Sequence, residues 1–227
     1  KIQGHGVVPG TLWSIRQEGL HVQAGAGISL ARLAWFCASV GLSGVEFATG
    51  IPGVVGGSIR GNAGAHGASL GDRVETVEGM ETDGGTRILS AQEVGFGYRH
   101  TRLSPSVIII SARFALTPDD PQAIRERIRE YTEYRKRTQP SADQSAGCMF
   151  KNPSGDSAGR LIDLAGCKGL QVGDAVVSDR HANFIINRGQ ATAADTLRLI
   201  DRIRDLVLQR TGVALDLEVR VIGQEAF

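Results

Sequence analysis

The sequence contains little cysteine, few aromatic residues and no excess of either charge. Three cysteines in 227 residues, Cys37, Cys148 and Cys167, cannot all pair and show no metal-ligand spacing, so we expect neither a disulfide scaffold nor a metal site. The 25 basic and 24 acidic side chains nearly cancel. The charge therefore gives no indication of a nucleic-acid partner or of binding to an anionic membrane.

Long apolar stretches are also missing. No run approaches the ~20 apolar residues that span a bilayer, so no membrane insertion is expected. Residues 1–20 lack the charged start, the apolar stretch and the small-residue cleavage site of a signal peptide. Free thiols without export signals favour a reducing compartment, and the sequence thus predicts a cytoplasmic protein.

Glycine, in contrast, is abundant. The chain has 30 glycines, and they are densest in the motif GIPGVVGGSIRGNAG, which starts at Gly50. Glycine lets backbone N–H groups approach an anionic ligand closely. The motif is neither a Walker loop nor a dinucleotide-binding GxGxxG. From composition alone, a ligand-binding loop and an irregular, tightly packed core loop are equally good interpretations.

Periodicity predicts a mixture of helices and strands along the whole chain. Helices are predicted after the capping residues Ser29 and Thr192, from Pro121 and at residues 157–165, and the last helix should end at Gly212. Strands are predicted at residues 20–24, 74–80, 87–89, 107–116, 175–178, 184–187 and 215–222. Because these elements do not alternate strictly as βαβ units, the pattern favours an α+β fold over a doubly wound sheet.

A first polar motif, GFGYRH, places Arg99 between Tyr98 and His100 after two glycines. The fork of an arginine side chain can bind a carboxylate or a phosphate through two hydrogen bonds. A surface arginine with an aromatic neighbour is the simpler interpretation, and the motif alone favours it.

Further side chains that could do chemistry lie in the second half of the chain. The motif GCMFKNP brings a thiol (Cys148), an amine (Lys151) and an amide (Asn152) close together. His181 could contact a ligand, and Glu218 could be a catalytic carboxyl group. Three of these residues also have a simpler interpretation. Cys148 could be an inert thiol, His181 a loop histidine and Glu218 a solvent-facing carboxylate.

The order of the motifs is more informative than any one of them. GIPGVVGG and GNAGAHG are followed by GFGYRHT, RTQP, SAGCMFKNP, AGRLID, AGCKG, VGDAVVSDRHANFIIN and LDLEVRVIG. In this order they resemble the UDP-N-acetylenolpyruvoylglucosamine reductases, which are flavoenzymes of peptidoglycan precursor synthesis. The short segment between Arg99 and Cys148 is similar to the subgroup that lacks an extra substrate-covering loop. The sequence departs from many members in having cysteine at position 148, where they have serine.

The resemblance implies an α+β protein with two domains. Residues 1–137 correspond to an FAD-binding lobe of the vanillyl-alcohol-oxidase/PCMH type, residues 138–223 to an α+β substrate-binding domain and residues 224–227 to a tail. The family's pyrophosphate-binding glycine loop has no counterpart ahead of Gly25. We therefore expect the first lobe to be incomplete and this chain to bind FAD weakly.

The resemblance also implies the activity and the residues that perform it. The expected reaction is reduction of the enolpyruvyl ether of UDP-N-acetylglucosamine to UDP-N-acetylmuramate by a monomer that uses FAD and NADPH. Arg99 and Glu218 would stabilise developing negative charge, and Cys148 would donate a proton. The implied flavin-binding residues are Ile51, Pro52, Gly53, Gly57, Ser58, Asn62 and Gly64. The implied substrate-binding residues are Tyr98, Lys151, Asn152 and His181.

Two alternatives to this activity stay open at this point. One is a flavoprotein oxidase of the same fold class that acts on a small alcohol, although such an enzyme should lack the motifs around Cys148 and Glu218. The other is a binding module that keeps the substrate domain but holds no flavin. The colour of the purified protein separates the second alternative from an enzyme, because bound flavin absorbs visible light.

Overall fold

A computed structural model describes residues 12–140 and 145–222 of the chain. It divides the chain into two compact units, Lys1–Arg135 and Lys136–Phe227. Each unit has its own hydrophobic core. The predicted linker at residues 139–147 lies partly outside the described residues, and the predicted tail at residues 224–227 lies entirely outside them.

Unit 1 is built on a five-stranded antiparallel sheet. The strands of unit 1, including those outside this sheet, are β1 (Ile15–Glu18), β2 (His21–Gly25), β3 (Leu42–Ser43), β4 (Gly64–Ala65), β5 (Ala68–Ser69), β6 (Val74–Met80), β7 (Thr86–Ser90), β8 (Ile108–Ala115) and β9 (Thr117–Pro118). The large sheet has the order β1-β2-β8-β6-β7, while β3 pairs with β9 and β4 with β5. The apolar sequence of β8 explains its central position, because Ile109, Ile110, Ala112 and Phe114 are all buried there.

Two helices of unit 1, those that begin after Ser29 and at Pro121, were predicted from the sequence, and two shorter ones were not. They are α1 (Leu30–Ser39), α2 (Val55–Arg60), α3 (Ala91–Val94) and α4 (Pro121–Thr138), which continues into unit 2. The hydroxyl of Ser29 accepts a hydrogen bond from the Arg32 N–H at 3.2 Å and so caps α1. Buried isoleucines of α4, Ile124 and Ile128, pack on small buried alanines of α1. The small alanine side chains let these two helices approach each other closely.

Short regular elements, rather than one irregular loop, make up the glycine-rich segment. A 3-10 turn at Glu46–Gly50 precedes α2, and the β4–β5 hairpin precedes a second 3-10 turn at Leu70–Asp72. The hairpin turn consists of His66 and Gly67, both with positive φ. This segment therefore exposes its backbone at defined positions.

Unit 2 packs two helices against a small antiparallel sheet. Its elements are α5 (Ala158–Leu164), β10 (Gln171–Val172), β11 (Ala175–Val177), β12 (Ile185–Asn187) and α6 (Ala193–Thr211). The sheet order is β10-β11-β12. Thr192 and Asp195 form the capping box that begins α6, and Gly212 ends it in the left-handed conformation. The apolar stripe of α6, which includes Ile200 and Ile203, lies in the core of unit 2.

The predicted strand at residues 215–222 is wrong. The structure forms no strand there: the segment pairs with residues 149–151 through an isolated bridge between Leu217 and Phe150, with backbone hydrogen bonds on either side of it. The alternation of apolar and polar residues there is real, since Leu215 is buried whereas Asp216 and Arg220 are exposed. Alternation alone does not make a strand, because a ladder also needs a partner segment of matching length.

Within the described ranges, no helix combines the length and the apolar character needed to cross a membrane. The same residues contain no group of three or more histidine, cysteine, aspartate or glutamate side chains that could hold a metal ion.

Candidate active site

The first turn of α2 is fixed to the chain that follows β2. The Val55 N–H donates to the Ile28 carbonyl at 2.8 Å, and the Gly56 N–H donates to the Ala26 carbonyl at 2.9 Å. A Cβ at Gly56 would lie 2.9 Å from the Cβ of Ala26, so a larger residue would force a shift. Gly56 is therefore a packing residue within the glycine motif.

The other glycines of the motif leave backbone exposed. Pro52, Gly53 and Gly57 are exposed, and a Cβ at Gly57 would have no heavy atom within 4 Å. Gly53 has a φ of +142°, which L side chains rarely adopt. Ser58 is buried beside Gly53, and Ile51 packs against the core of unit 1. The segment thus offers an accessible backbone surface on a rigid base.

Asn62 joins the glycine motif to the motif that carries Arg99. Its Nδ2 donates to the Gly97 carbonyl at 2.9 Å, and its Oδ1 accepts from the Gly71 N–H at 2.9 Å. The side chain is buried, and the backbone φ is +43°. Both ends of the Asn62 amide therefore serve neighbouring backbone.

Arg99 lies in a tight turn between Gly97 and His100. The backbones of these two residues exchange hydrogen bonds at 2.9 and 3.3 Å, and Arg99 has a φ of +59°. The Arg99 Nη1 donates to the Gly64 carbonyl at 3.1 Å. Its guanidinium carbon lies 5.5 Å from the centre of the exposed Tyr98 ring, which is within cation–π range. The fold thereby brings Arg99 to the β4–β5 hairpin.

In unit 2, the segment that carries Cys148 lies between two others. On one side the Met149 N–H donates to the Asn183 carbonyl at 2.9 Å. On the other side the Glu218 N–H donates to the Met149 carbonyl at 2.8 Å. Cys148 and Glu218 are both half-buried. These two predicted catalytic residues, which are far apart in sequence, therefore occupy neighbouring segments of unit 2.

The two polar residues that follow in this motif are anchored differently. The Lys151 N–H donates to the Asp216 carbonyl at 2.8 Å. The Asn152 Oδ1 accepts from the Ala158 N–H at 3.0 Å, where Ser157 also caps α5. The oxygen of the Asn152 amide thus helps to begin α5.

His181 packs close to the same region of unit 2. Its Nδ1 accepts from the Asn183 N–H at 3.3 Å, and its ring meets that of Phe184 edge-on at 4.8 Å. A Cβ at Gly159 would lie 3.1 Å from the His181 Cε1. The His181 ring is thus held by the Asn183 backbone and by Phe184.

The three thiols differ in accessibility. Burial raises the pKa of Cys37 to about 12, and the negative charge of Glu46 contributes to this shift. Burial also raises the pKa of Cys167. Cys148, in contrast, is only half-buried. Cys148 is therefore the accessible thiol, while the other two are core residues.

Comparison with known proteins finds a family model that matches part of each unit. Residues 139–222 match the family model of the UDP-N-acetylenolpyruvoylglucosamine reductase C-terminal domain, and residues 10–90 match an FAD binding domain. The reductase of Moorella thermoacetica is 46% identical over 207 residues, which cover 91% of this chain and 68% of that protein. The chain belongs to the UDP-N-acetylenolpyruvoylglucosamine reductase family.

Other reductases of the family agree with this assignment. That of Geobacter metallireducens is 47% identical over 207 residues, covering 91% of this chain and 69% of its own length. The crystal structure of the reductase from Thermus caldophilus matches with a TM-score of 0.77 and 43% identity, over 87% of this chain and 71% of that one. The predicted α+β fold, with an FAD-binding part ahead of a reductase C-terminal domain, is confirmed.

Backbone strain in this member of the reductase family is concentrated in unit 1. Among the described residues, the non-glycine residues with positive φ are Asn62, His66 and Arg99. Conformations of this kind cost on the order of 1 kcal/mol each, and they cluster at functional sites. Hydrogen bonds connect all three, because Asn62 binds the turn of Arg99 and Arg99 binds the hairpin of His66. This connection between distant motifs could not be read from the sequence.

Sequence reasoning also missed Asn183, which holds the Cys148 segment of the reductase in place. Asn183 is 3% exposed. Its Oδ1 accepts from the Phe150 N–H at 2.9 Å, and its Nδ2 donates to the Phe150 carbonyl at 2.8 Å. It thereby satisfies both backbone groups of a residue two positions after Cys148. The sequence signal was an asparagine between two apolar residues, Ala182 and Phe184, which a surface position does not require.

Replacing Asn183 with alanine should destabilise unit 2 by about 2–4 kcal/mol, because two buried backbone groups of Phe150 lose their partner. The matched control is Asn187→Ala. Asn187 is exposed, and its Oδ1 accepts from the N–H groups of Gly189 and Ala191. Its loss should cost less than about 1 kcal/mol. Urea unfolding followed by circular dichroism measures both variants, and equal shifts of the midpoint would contradict the role given to Asn183.

Proposed function

We propose that this chain reduces UDP-N-acetylenolpyruvoylglucosamine to UDP-N-acetylmuramate, with NADPH as the reductant and FAD as the bound cofactor. The observation that carries this proposal is the agreement of the two family domains with relatives about 45% identical over most of the chain. A flavoprotein oxidase would not account for a reductase C-terminal domain over residues 139–222, and a binding module without flavin would not account for an FAD binding domain over residues 10–90.

The residues of the glycine motif fit a bound flavin. Pro52, Gly53 and Gly57 offer exposed backbone, and the open space at Gly57 lets a flat ring lie directly on the chain. Ile51 and Ser58 support this surface from the core side. Further along the chain, the Asn62 amide and the Gly64 carbonyl would hold the neighbouring loops in place. The chemistry that bound FAD supplies is hydride transfer from NADPH to the vinyl group of the substrate.

Arg99 and Glu218 are the residues we propose for charge stabilisation. Addition of hydride to one vinyl carbon leaves negative charge on the neighbouring carbon and its carboxylate. Arg99 carries a permanent positive charge, and its hydrogen bond to the Gly64 carbonyl fixes one edge of its guanidinium group. A cation that is already oriented stabilises such charge without reorganisation. Glu218 would contribute a carboxyl group as a hydrogen-bonding partner.

Cys148 is the residue we propose as the proton donor. The negatively charged carbon must take up one proton to complete the reduction. A thiol with an ordinary pKa of ~8.5 is mostly protonated at pH 7, yet it is far more acidic than an alcohol. The fixed segment between Asn183 and Glu218 holds Cys148 in one place, as a general acid requires.

Four further residues are proposed to bind the substrate. Lys151 suits the diphosphate, because a flexible ammonium group binds phosphate as a point charge. Asn152 directly follows Lys151, His181 lies in the same unit, and Tyr98 adjoins Arg99 in unit 1. We propose a monomer with a small-molecule substrate and with neither a nucleic-acid nor a membrane partner.

The biological setting is part of the same proposal. The free thiols of this chain favour a reducing compartment, which the cytoplasm provides. The product is a precursor of peptidoglycan, so loss of the activity should disturb cell-wall synthesis and with it cell shape and division.

The test of this function is oxidation of NADPH by the purified protein in the presence of FAD. We expect the rate to depend on added UDP-N-acetylenolpyruvoylglucosamine, and mass spectrometry should find a product that has gained two hydrogen atoms. Omitting FAD is the control and should abolish the reaction. Oxidation of a simple alcohol with consumption of oxygen, or binding of the sugar nucleotide without turnover in the presence of FAD, would contradict the proposal.

A further inference from the structure

The β4–β5 hairpin of unit 1 is in contact with α4 through the side chain of His66. The His66 ring stacks on the ring of Tyr131, with 4.2 Å between the centroids and 21° between the planes. Tyr134, one helical turn further on, meets the same ring edge-on at 5.4 Å. Parallel stacking of this kind orients both rings, and it stabilises the contact by more than the burial of apolar area alone.

The conformation of His66 is costly for this residue type. His66 and Gly67, with φ values of +54° and +79°, form the two-residue turn between β4 and β5. Such turns favour asparagine or aspartate followed by glycine, because the first position also needs a positive φ. Histidine is less favoured than asparagine or aspartate at this position, but only histidine places an aromatic ring on Tyr131.

The opposite end of the hairpin binds Arg99. The Gly64 carbonyl, in β4, accepts the hydrogen bond from the Arg99 Nη1 at 3.1 Å. Only Ala65 separates Gly64 from His66. The hairpin therefore lies between the tyrosines of α4 and the guanidinium group that we propose to be catalytic.

The two strands of this hairpin are tightly packed against each other. A Cβ at Gly64 would lie 2.6 Å from the Ala68 carbonyl oxygen, so the two strands are in close contact. The Leu70 N–H donates to the Ala63 carbonyl at 3.0 Å and closes the base of the hairpin. Because the hairpin is short and closed at both ends, a displacement of the His66 ring also displaces the Gly64 carbonyl.

The protonation state of His66 suits this contact. Burial, together with the positive charge of Arg135, lowers the pKa of His66. At pH 7 and above the ring is therefore neutral, and a neutral imidazole stacks on tyrosine without the cost of burying a charge.

We propose that His66 is a positioning residue for Arg99: its stack on Tyr131 fixes the hairpin whose Gly64 carbonyl orients the Arg99 guanidinium group. The inference rests on the proposed function, in which Arg99 stabilises the charge that develops on the substrate. His66 itself touches neither the substrate nor the reacting atoms in this role.

Removing either ring should slow reduction of the sugar substrate. His66→Asn keeps a residue that tolerates the turn but removes the stack, and Tyr131→Leu removes the other ring while keeping an apolar side chain against the core. Each should lower kcat about 3- to 10-fold, the range expected from the loss of one aromatic pair. Tyr131→Phe retains the ring, and its kcat should stay within about twofold of that of the parent protein. NADPH oxidation without sugar should be unchanged in all three.

A double-mutant cycle separates positioning from a general loss of stability. If His66 acts through Arg99, His66→Asn should change kcat by less than about twofold when Arg99 is already lysine. Additive losses in the double variant would overturn the proposal. So would a kcat for His66→Asn and Tyr131→Leu equal to that of the parent protein.

A measurement without cofactor or substrate completes the test. Amide hydrogen exchange across residues 64–69 should be faster in His66→Asn and Tyr131→Leu than in the parent protein, and unchanged in Tyr131→Phe. Unchanged exchange in the two variants that lack a ring would overturn the proposal by itself. A parent protein without substrate-dependent turnover would instead refute the proposed function, and the exchange experiment would still report on the hairpin.

Discussion

Replacing Cys148 with alanine is expected to slow reduction of the enolpyruvyl substrate by on the order of 10²–10⁴-fold, the usual contribution of one general acid. The reason is that the carbon next to the new C–H bond must take up a proton, and alanine has none to give. NADPH oxidation in the absence of the sugar substrate requires no proton from this thiol and should proceed at the parent rate. Stopped-flow measurement of the two half-reactions tests both expectations.

Serine at the same position should restore much of the lost rate. A hydroxyl group can occupy the place of the thiol and donate a proton, although its higher pKa makes it a weaker acid. We therefore expect Cys148→Ser to lie much nearer to the parent protein than to Cys148→Ala in the substrate half-reaction.

Cys167→Ala is the matched control for these variants. Cys167 is a fully buried thiol in the core of unit 2. Its replacement should lower the free energy of unfolding by roughly 1 kcal/mol and leave both half-reactions unchanged. If Cys148→Ala behaved in the same way, with reduced stability and parent rates, Cys148 would be a structural thiol and the assignment of the proton donor would be wrong.

Local signals in the sequence were sufficient for the longer helices and strands of the fold. The capping residues Ser29 and Thr192 begin α1 and α6 as predicted, and Gly212 ends α6. These positions are readable because a cap satisfies backbone groups within its own helix turn and needs no distant partner. The hairpin of β6 and β7 is equally local, since its turn residues lie directly between the two strands.

Elements that depend on distant partners were not readable in the same way. Residues 215–222 alternate as a strand would, but residues 149–151, with which they pair, are too short a partner for a regular ladder. Asn183 gains its role from the backbone of Phe150, 33 positions away. His66 gains its role from Tyr131 on a different element. A side chain of this kind has an ordinary sequence context, and only the folded chain shows what it contacts.

For the candidate site, too, the sequence indicated residues but not the contacts that they make. The order of the motifs indicated which residues to examine, because the family resemblance extends along the chain. It gave no geometry, however, and could not distinguish Gly56, which packs on Ala26, from Gly57, which faces open space. Nor could it show that Arg99 binds the Gly64 carbonyl. The sequence therefore yielded the candidate residues, whereas the contacts that support them became visible only in the structure.

Replacing Arg99 with lysine should keep the fold and lower kcat for the sugar substrate by on the order of 10²-fold, comparable to the loss of one preorganised hydrogen-bond donor. One edge of the guanidinium group donates to the Gly64 carbonyl. Lysine is a point charge on a flexible stem and cannot hold this contact while also presenting a planar fork to a carboxylate. NADPH oxidation without the sugar substrate should be unchanged. Steady-state kinetics with varied sugar nucleotide, together with stopped-flow, measures these quantities.

Arg102→Lys provides the matched control, because Arg102 is an exposed arginine three positions further on. Its Nη2 donates to the Gln92 carbonyl at 3.1 Å, a surface contact that lysine can largely replace. We expect the kcat and KM of this variant to stay within about twofold of the parent values. A raised KM with unchanged kcat in Arg99→Lys would mean that Arg99 binds the substrate equally well in the ground state and the transition state. That result would contradict charge stabilisation by Arg99, because stabilisation specific to the transition state must appear in kcat.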